Sequence, residues 1–579
     1  MYRSVLLAAL VVASLSQWAL GGEKTRATIM RETNVNSTNS SIVRPSGDVQ
    51  MDNPTVGVST TLSGFYDYQS NGGACEHVRV NPANGNIHVT YMLSDDSTAA
   101  GNNAARRTAY AFSTNGGTTW NNFSQVRVPA RRSGFPTLDL LQGANAGFPT
   151  IANHSTITGT QSTIFVDSPE GTGAFSEISA PPLISAGATE PIWPYVAGAS
   201  DGSVTLAASP NITSGQMNHV TRTADFSTWA AWTQLGGTQD AGGRYPTYAN
   251  ANGRVGIMWN AVDQGVHWYE STNSGTTWPT TPTTIYPPIR EVGGESLAVW
   301  VGCDFTYDGN TPLYAFGSST TDGAGGYFFA DARIEFWSQA TGFVTAVPHD
   351  TTLFVGDMNG FNQTNHLTLG YPVIAKSGSR IAIVFQAFQR DTATAGRSTG
   401  FRYGDIWFTQ SGNNGATWTK AQNISQTANM DERYPSISKY NEAGKINITW
   451  QEDASPGSSA FTDLTDTTRS RLIFLKFTLP PITGVDDVDV PANSFKLSQN
   501  YPNPFNPATT IDYSVAQAGP VTINVYNSLG QRVATLLDEH LSVGQYQLTF
   551  DGARLASGVY IYKMTAGSYS ESKKMVLMK

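Results

Sequence analysis

Most of the chain alternates apolar and polar residues in short runs, among them GRVGIMWNA, SRIAIVFQAF and GKINITWQE, each preceded by a Gly or Asn turn signal. Period-two runs rich in β-branched and aromatic residues predict strands rather than helices. A recurring Aromatic-Pro-x-(aliphatic or Tyr) element stands before most of them: FPTI (Phe148–Ile151), WPYV (Trp193–Val196), YPTY (Tyr245–Tyr248), YPVI (Tyr371–Ile374) and YPSI (Tyr434–Ile437). Two further stretches, His77–Met92 and Cys303–Ser318, have the same two-strand shape without the aromatic–Pro start. Units of short strands spaced roughly 40–70 residues apart predict a β-propeller, whose blades bury their faces only against one another. Seven blades are favoured, with six as the alternative. YPSISKY, KINITWQ and RLIFLKF give the last unit three strands, and TVGVSTTL (Thr55–Leu62) is placed to add a fourth. Such pairing would join the ends of the ring and remove its open edges.

The pattern changes at both ends. Arg3, the apolar run Val5–Leu15 and the small residues near Ala19–Gly21 predict an export signal over 1–21, followed by a linker over 22–54. The propeller is expected over 55–478. LPPITGVDDVDVPANS (479–494) is Pro-rich and acidic and predicts a second linker. Residues 495–579 then hold about seven short strands with turn signals between them, the pattern of an immunoglobulin-like β-sandwich. The expected fold class is therefore all-β, a propeller followed by a sandwich.

Composition narrows the function classes. Charged residues make up 14% of the 579, with a formal net charge of −9, which gives no footprint for nucleic acid. The mature chain has no apolar run long enough for a transmembrane helix. Cys75 and Cys303 are too few for a disulfide scaffold, and pairing between them stays open beside two free thiols. No metal-ligand spacing is present and no cofactor is expected; His77, His219 and His366 read as packing or turn residues.

One motif occurs three times, as STNGGTTW (Ser113–Trp120), STNSGTTW (Ser271–Trp278) and SGNNGATW (Ser411–Trp418). Each copy follows a strand, so it falls at the hairpin between the third and fourth strands of a blade, where Asn and Gly suit a tight turn. The frame resembles the Asp-box of the sialidase superfamily, Ser-x-Asp-x-Gly-x-Thr-Trp. Its positions are Ser113, Asn115, Gly117, Thr119 and Trp120; Ser271, Asn273, Gly275, Thr277 and Trp278; and Ser411, Asn413, Gly415, Thr417 and Trp418. Asn replaces Asp in all three, and RTADFSTW (Arg222–Trp229) reads as a degenerate fourth copy. The resemblance implies a structural turn on the face away from any active site. At the other end of the chain, NYPNPFNP (Asn500–Pro507), VYNSLGQ (Val525–Gln531), LASGVYIYK (Leu555–Lys563) and the terminal KKMVLMK resemble the C-terminal sorting domain of the type IX secretion system. That resemblance implies that residues 495–579 engage the secretion machinery and that the protein is secreted or held on the outer cell surface.

The start of each innermost strand faces a propeller's central funnel, so residues there are the site candidates. GGRYPTY and DERYPSI place Arg244 and Arg433 in this position, beside the carboxylates Glu76, Glu190, Asp240, Asp431 and Glu432 and the tyrosines Tyr245 and Tyr434. Arg-x-Pro resembles the Phe-Arg-Ile-Pro motif of sialidases, whose arginine joins a triad on the substrate carboxylate, which a guanidinium fork matches bidentately. Here the first unit reads CEHVRVNP, without that motif, and Arg290, Arg397 and Arg402 are third-arginine candidates without a motif. Two readings stand: a surface or secreted protein binding extracellular glycan or protein on the funnel face, and an exo-sialidase-like glycoside hydrolase.

Overall fold

A computed structural model describes residues 26–27, 56–482 and 495–579, apart from 71–72, 98–103, 124–125, 157–158, 185–188, 213–216, 240–244, 262–264, 324–325, 329–330, 351–352, 356–366, 395–398, 460–466, 501–502, 518 and 542–543. The expected export signal and most of both linkers lie outside the described residues. So do Arg244, Asp240, Arg397 and His366. Within the first linker, Arg26–Ala27 pairs with Tyr327–Phe328.

Among the described residues, 58–478 form seven antiparallel sheets in chain order. The innermost strands are Val78–Val80, Ser133–Leu140, Pro191–Gly198, Thr247–Ala249, Glu295–Asp308, Leu369–Ser377 and Asp431–Ile437. Each blade packs on the next, and the seventh returns to the first. Val58–Gly64 closes the ring by pairing with Ser470–Thr478, with Val58 opposite Phe474 and Gly64 opposite Ser470. The inner strands are covered by a blade on either side, which is why Ile87–Leu93, Pro191–Gly198 and Val204–Pro210 are buried at every position. Alternation is strictest where one face is wet. In Gly558–Ala566 of the C-terminal module, Tyr560, Tyr562, Met564 and Ala566 are buried and the residues between them are not.

The three Asn-box turns sit between the third strand and the outer edge of the first, fourth and sixth blades. In the first, Ser113 Oγ donates to Asn115 Oδ1 (3.0 Å) and accepts the Gly117 N–H (2.9 Å). Asn115 Oδ1 also accepts the Thr119 N–H, while Asn115 Nδ2 donates to Thr119 Oγ1 at 2.8 Å. Trp120 Nε1 closes the turn on the Gly117 carbonyl at 3.0 Å. The other two copies repeat this set of bonds. An aspartate could not donate as Nδ2 does but could accept from the Thr hydroxyl in its place, so Asn reverses the direction of this bond and keeps the turn's set. In the fourth copy Asp225 accepts from Thr223 Oγ1 and from the Ser227 and Thr228 N–H groups, and Trp229 donates to the Ser179 carbonyl instead.

These turns also join blades. Gly415 has φ 87°, and a Cβ there would lie 2.1 Å from the ring of Phe336 in the preceding blade. The equivalent atom on Gly117 would meet Phe474 of the seventh blade at 2.1 Å. The indoles follow the same path: Trp120 packs on Phe474 at 5.2 Å and Trp418 on Phe336 at 5.1 Å, centroid to centroid. Each turn is thus a wedge set into the preceding blade.

The C-terminal residues form a three-stranded and a four-stranded sheet that share one core, with Ile511, Tyr513 and Phe550 from the first and Ile523, Val525, Tyr562 and Met564 from the second.

Candidate functional site

The funnel end of the blades is built around a repeated bulge. Proline cannot donate to the strand ladder, so the inner strand must slip where it stands. The ladder shifts register at Gly134/Thr137, Ile192/Tyr195, Gly370/Val373 and Arg433/Ser436. At each shift the aromatic before the proline takes a positive φ: Phe135 49°, Trp193 52°, Tyr371 53° and Tyr434 55°. A bulky residue in this region is strained and persists only where packing holds it. In the second blade the element is therefore FPTL at Phe135–Leu138; the FPTI expected to open that blade has Pro149–Thr156 as its second strand. The fifth blade shifts between Val299 and Cys303 and carries Gly302 (φ 79°) instead, where a Cβ would lie 2.8 Å from Tyr371 Cα of the next blade. The rings meet one another across blades: Tyr371 on Tyr434 (5.5 Å), Tyr434 on Tyr68 (6.3 Å), Tyr68 on Phe135 (6.4 Å) and Tyr195 on Tyr245 (5.2 Å).

The charged candidates divide into two buried networks. Arg433 is 1% exposed, its Nε 2.6 Å from Asp431 Oδ2 and its guanidinium over the Phe388 ring at 5.1 Å. The two Asp431 oxygens also accept the Gly404 and Gly457 N–H groups at 2.8 and 3.1 Å. Glu432 accepts Thr427 Oγ1 at 3.0 Å, and burial pushes its carboxyl well up, with Asp405 and Glu452 adding to the effect. Asp453 is pushed up to about 8, first by burial and then by Asp67. Asp67 in turn accepts Ser458 Oγ at 2.9 Å and the Ser459 N–H at 2.6 Å. Asp405, Asp453 and Asp67 had no motif to reveal them.

Glu76 belongs to the second network. It takes Arg79 Nη2 at 2.6 Å, and Arg79 Nε reaches Asp139 of the second blade at 3.0 Å. Lys439, just past the seventh inner strand, lies 2.6 Å from Asp304 of the fifth blade and 4.0 Å from Glu76. Asp139 accepts the Gly198 N–H and Asp304 the Ile374 N–H, which extends the network to the third and sixth blades. All five side chains are buried. Apart from Glu76 and Arg79 the partners are far apart in sequence, and only Glu76 was among the site candidates.

The remaining candidates are dispersed. Tyr245 is buried and its hydroxyl donates to the Ile192 and Trp193 carbonyls. Tyr434 is 1% exposed. Glu190 is half-buried ahead of the third inner strand, its carbonyl accepting the Asn211 N–H. Arg290 pairs with Glu335 and stacks on Phe343 between the fourth and fifth blades, and Arg402 donates to the Arg390 carbonyl. Neither is brought to Arg433 by any of these bonds. Cys75 and Cys303 are free, buried thiols.

A small pocket lies between the start of the first blade and the bulges of the second and third, lined by Gln69, Ser70, Ala74, Cys75, His77, Phe135, Pro136, Thr137, Trp193, Pro194 and Tyr195. Phe135 is half-buried and the other lining residues are buried, so the mouth lies beside its ring. Of the lining residues, none belonged to the charged set expected from the sequence.

Residues 499–578 match the family described as the secretion system C-terminal sorting domain. The chain is thus an exported all-β protein, a propeller carrying a type IX sorting domain at its C-terminus. The tail implies contact with the secretion machinery, and no helix among the described residues is long and apolar enough to cross a membrane. Similar solved structures include the Penicillium chrysogenum alpha-L-arabinanase complexed with arabinobiose (14% identity, 73% of this chain and 99% of that chain, TM-score 0.35). They also include the Trypanosoma rangeli sialidase (9%, 76% and 84%, TM-score 0.38) and the polysaccharide lyase Uly1 (10%, 75% and 94%, TM-score 0.39). No curated protein sequence matches the chain.

Proposed function

We propose that the propeller is the ligand-binding part of this exported protein and takes extracellular glycan or protein on its funnel face. The observation that carries this reading is the burial of Arg433: 1% exposed and 2.6 Å from Asp431, it is a staple at the start of the seventh blade, and its Nη2, though without a hydrogen-bond partner, is closed off from a carboxylate arriving from solvent. Tyr434, the tyrosine next to it, is likewise buried, against Tyr68 and Tyr371. The distribution of loops supports the same face. Between second and third strands the sequence runs on there for twelve residues or more in the first, fifth and seventh blades, whereas the opposite face turns tightly at Asp308–Thr311 and Ser377–Arg380. Long connections on a rigid scaffold are where binding residues collect.

The hydrolase reading has one observation in its favour. Asp453, with a pKa of about 8, is a protonated carboxyl at neutral pH close to Asp67 and Asp431, as a general acid would be. It is also 1% exposed. Full-length protein assayed with a chromogenic sialoside and on an array of neutral and acidic glycans separates the two. Retention of glycan without chromophore release is the expected result; turnover that Arg433→Ala abolishes would establish the hydrolase.

A further inference from the structure

The pocket between the first blade and the bulges of the second and third holds a polar group that the fold leaves unused. His77 is 2% exposed, and its backbone is engaged: its N–H donates to Ser436 Oγ and its carbonyl accepts from Thr90. Its imidazole lines the pocket and makes no hydrogen bond among the described residues. The other polar linings are occupied. Gln69 is bonded through both ends of its amide to Met92, Ser70 to Gly73, Thr137 to the Pro194 carbonyl and the Val196 N–H, and Tyr195 to the Ala74 carbonyl. A buried polar group without a partner costs free energy, so a site that keeps one is completed by what enters it.

We infer that this pocket receives an uncharged, hydroxyl-bearing end group of an extracellular glycan, with the His77 imidazole as its hydrogen-bonding reader and Phe135 and Trp193 as its apolar walls. The inference rests on the proposed funnel-face binding and narrows it to neutral sugars. A neutral imidazole has one N–H donor and one acceptor nitrogen, which suits a hydroxyl that both gives and takes a proton. The cavity holds about one or two water molecules, enough for a hydroxyl or hydroxymethyl group and not for a ring. The sugar ring would therefore rest outside, on the half-exposed face of Phe135. Charge is excluded by what lines the walls: none of the lining residues is Lys, Arg, Asp or Glu. The titratable groups facing the space are His77, Cys75 and Tyr195. Burial lowers His77 to about 3, pushes the Cys75 thiol up, and pushes the Tyr195 hydroxyl well up, so all three are neutral across the ordinary pH range. Glu76, next in sequence, is turned away to Arg79. A carboxylate entering here would lose its hydration and gain no cation.

The test uses full-length protein on an array of neutral and sialylated or uronic glycans, with Trp193 fluorescence titration of the strongest neutral binder. Wild type is expected to retain neutral glycans, with affinity flat between pH 5 and 8. His77→Ala should weaken that binding about tenfold or more, the loss of one buried hydrogen bond with its partner stranded, and His77→Gln should restore part of it. Neutral glycan binding that His77→Ala leaves unchanged overturns the inference and leaves the funnel-face reading standing. A fall in wild-type affinity below about pH 6.5 overturns it too, since that is how a solvated histidine titrates. Equal loss in His77→Ala and His77→Gln assigns His77 a packing role and also overturns it. Retention of acidic glycans alone, or of none, removes the glycan reading together with the inference. Should His77→Ala fail to fold, the wild-type pH profile and His77→Gln carry the test.

Discussion

The two ends of the blades use repetition for different purposes. At the turn end, three Asn boxes repeat one set of hydrogen bonds, and each sets a glycine and an indole against the blade before it. At the funnel end, the aromatic–Pro bulge repeats as backbone while the residues it presents differ: Phe135, Trp193, Tyr371 and Tyr434 share a positive φ, yet only the first two line the pocket. Sameness marks joints, which every blade needs. Difference marks the place where one sector of the ring has been given a task. The charged residues that first drew attention at the funnel end belong with the joints, since Arg433, Asp431 and Glu76 are all buried in ion pairs.

The largest expected effect lies in those ion pairs. Lys439→Met leaves Asp304 and Glu76 buried without their shared cation and should cost about 3–5 kcal/mol in chemical denaturation. A loss under about 1 kcal/mol would mean that the axial network is not what ties the blades together. Next comes Gly415→Ala at the turn end. It places a Cβ 2.1 Å from the Phe336 ring at φ 87°, with an expected cost of about 2–4 kcal/mol. A neutral outcome would show that the turn is not wedged into the fifth blade.

A pH experiment sharpens the contrast further. The Asp453 carboxyl binds its proton more tightly folded, at about 8, than unfolded, at about 3.9. The native state therefore carries the extra proton between those values, and stability falls as pH rises through that window and levels off above it. Thermal unfolding from pH 4 to 9 should show this decline, and Asp453→Asn should flatten it. An unchanged slope in the variant would place the titration elsewhere. The smallest effect is expected from Asn115→Asp, which keeps the Oδ1 acceptor and turns the Thr119 hydroxyl from acceptor to donor: about 1 kcal/mol or less. A change above about 1 kcal/mol in either direction would show that the turn depends on which of the two side chains donates.

Much of the ring was legible in the chain because each blade repeats a local pattern, and the closing strand could be placed because the seventh blade lacked one. Phe148–Ile151 misled because it has the same letters as Phe135–Leu138; what separates them is a register shift, which depends on the partner strand. Asp139, Asp304 and Lys439 were hidden for a related reason: their pairing is set by ring closure, and nothing near any of them in sequence announces a partner. His77 read as a packing residue since a lone histidine carries no pattern. Its significance comes from the hydrogen bonds it does not make. The Asn boxes were the easiest feature to find, and they locate the joints of the propeller.

The central claim is that the funnel end binds and the turn end joins. The most direct measurement is glycan retention by three full-length proteins: wild type, Trp193→Ala at the funnel end and Trp120→Ala at the turn end, each checked for folding by thermal unfolding. Retention lost in the first variant and kept in the second is the predicted result. Retention kept in Trp193→Ala and lost in a folded Trp120→Ala would contradict it.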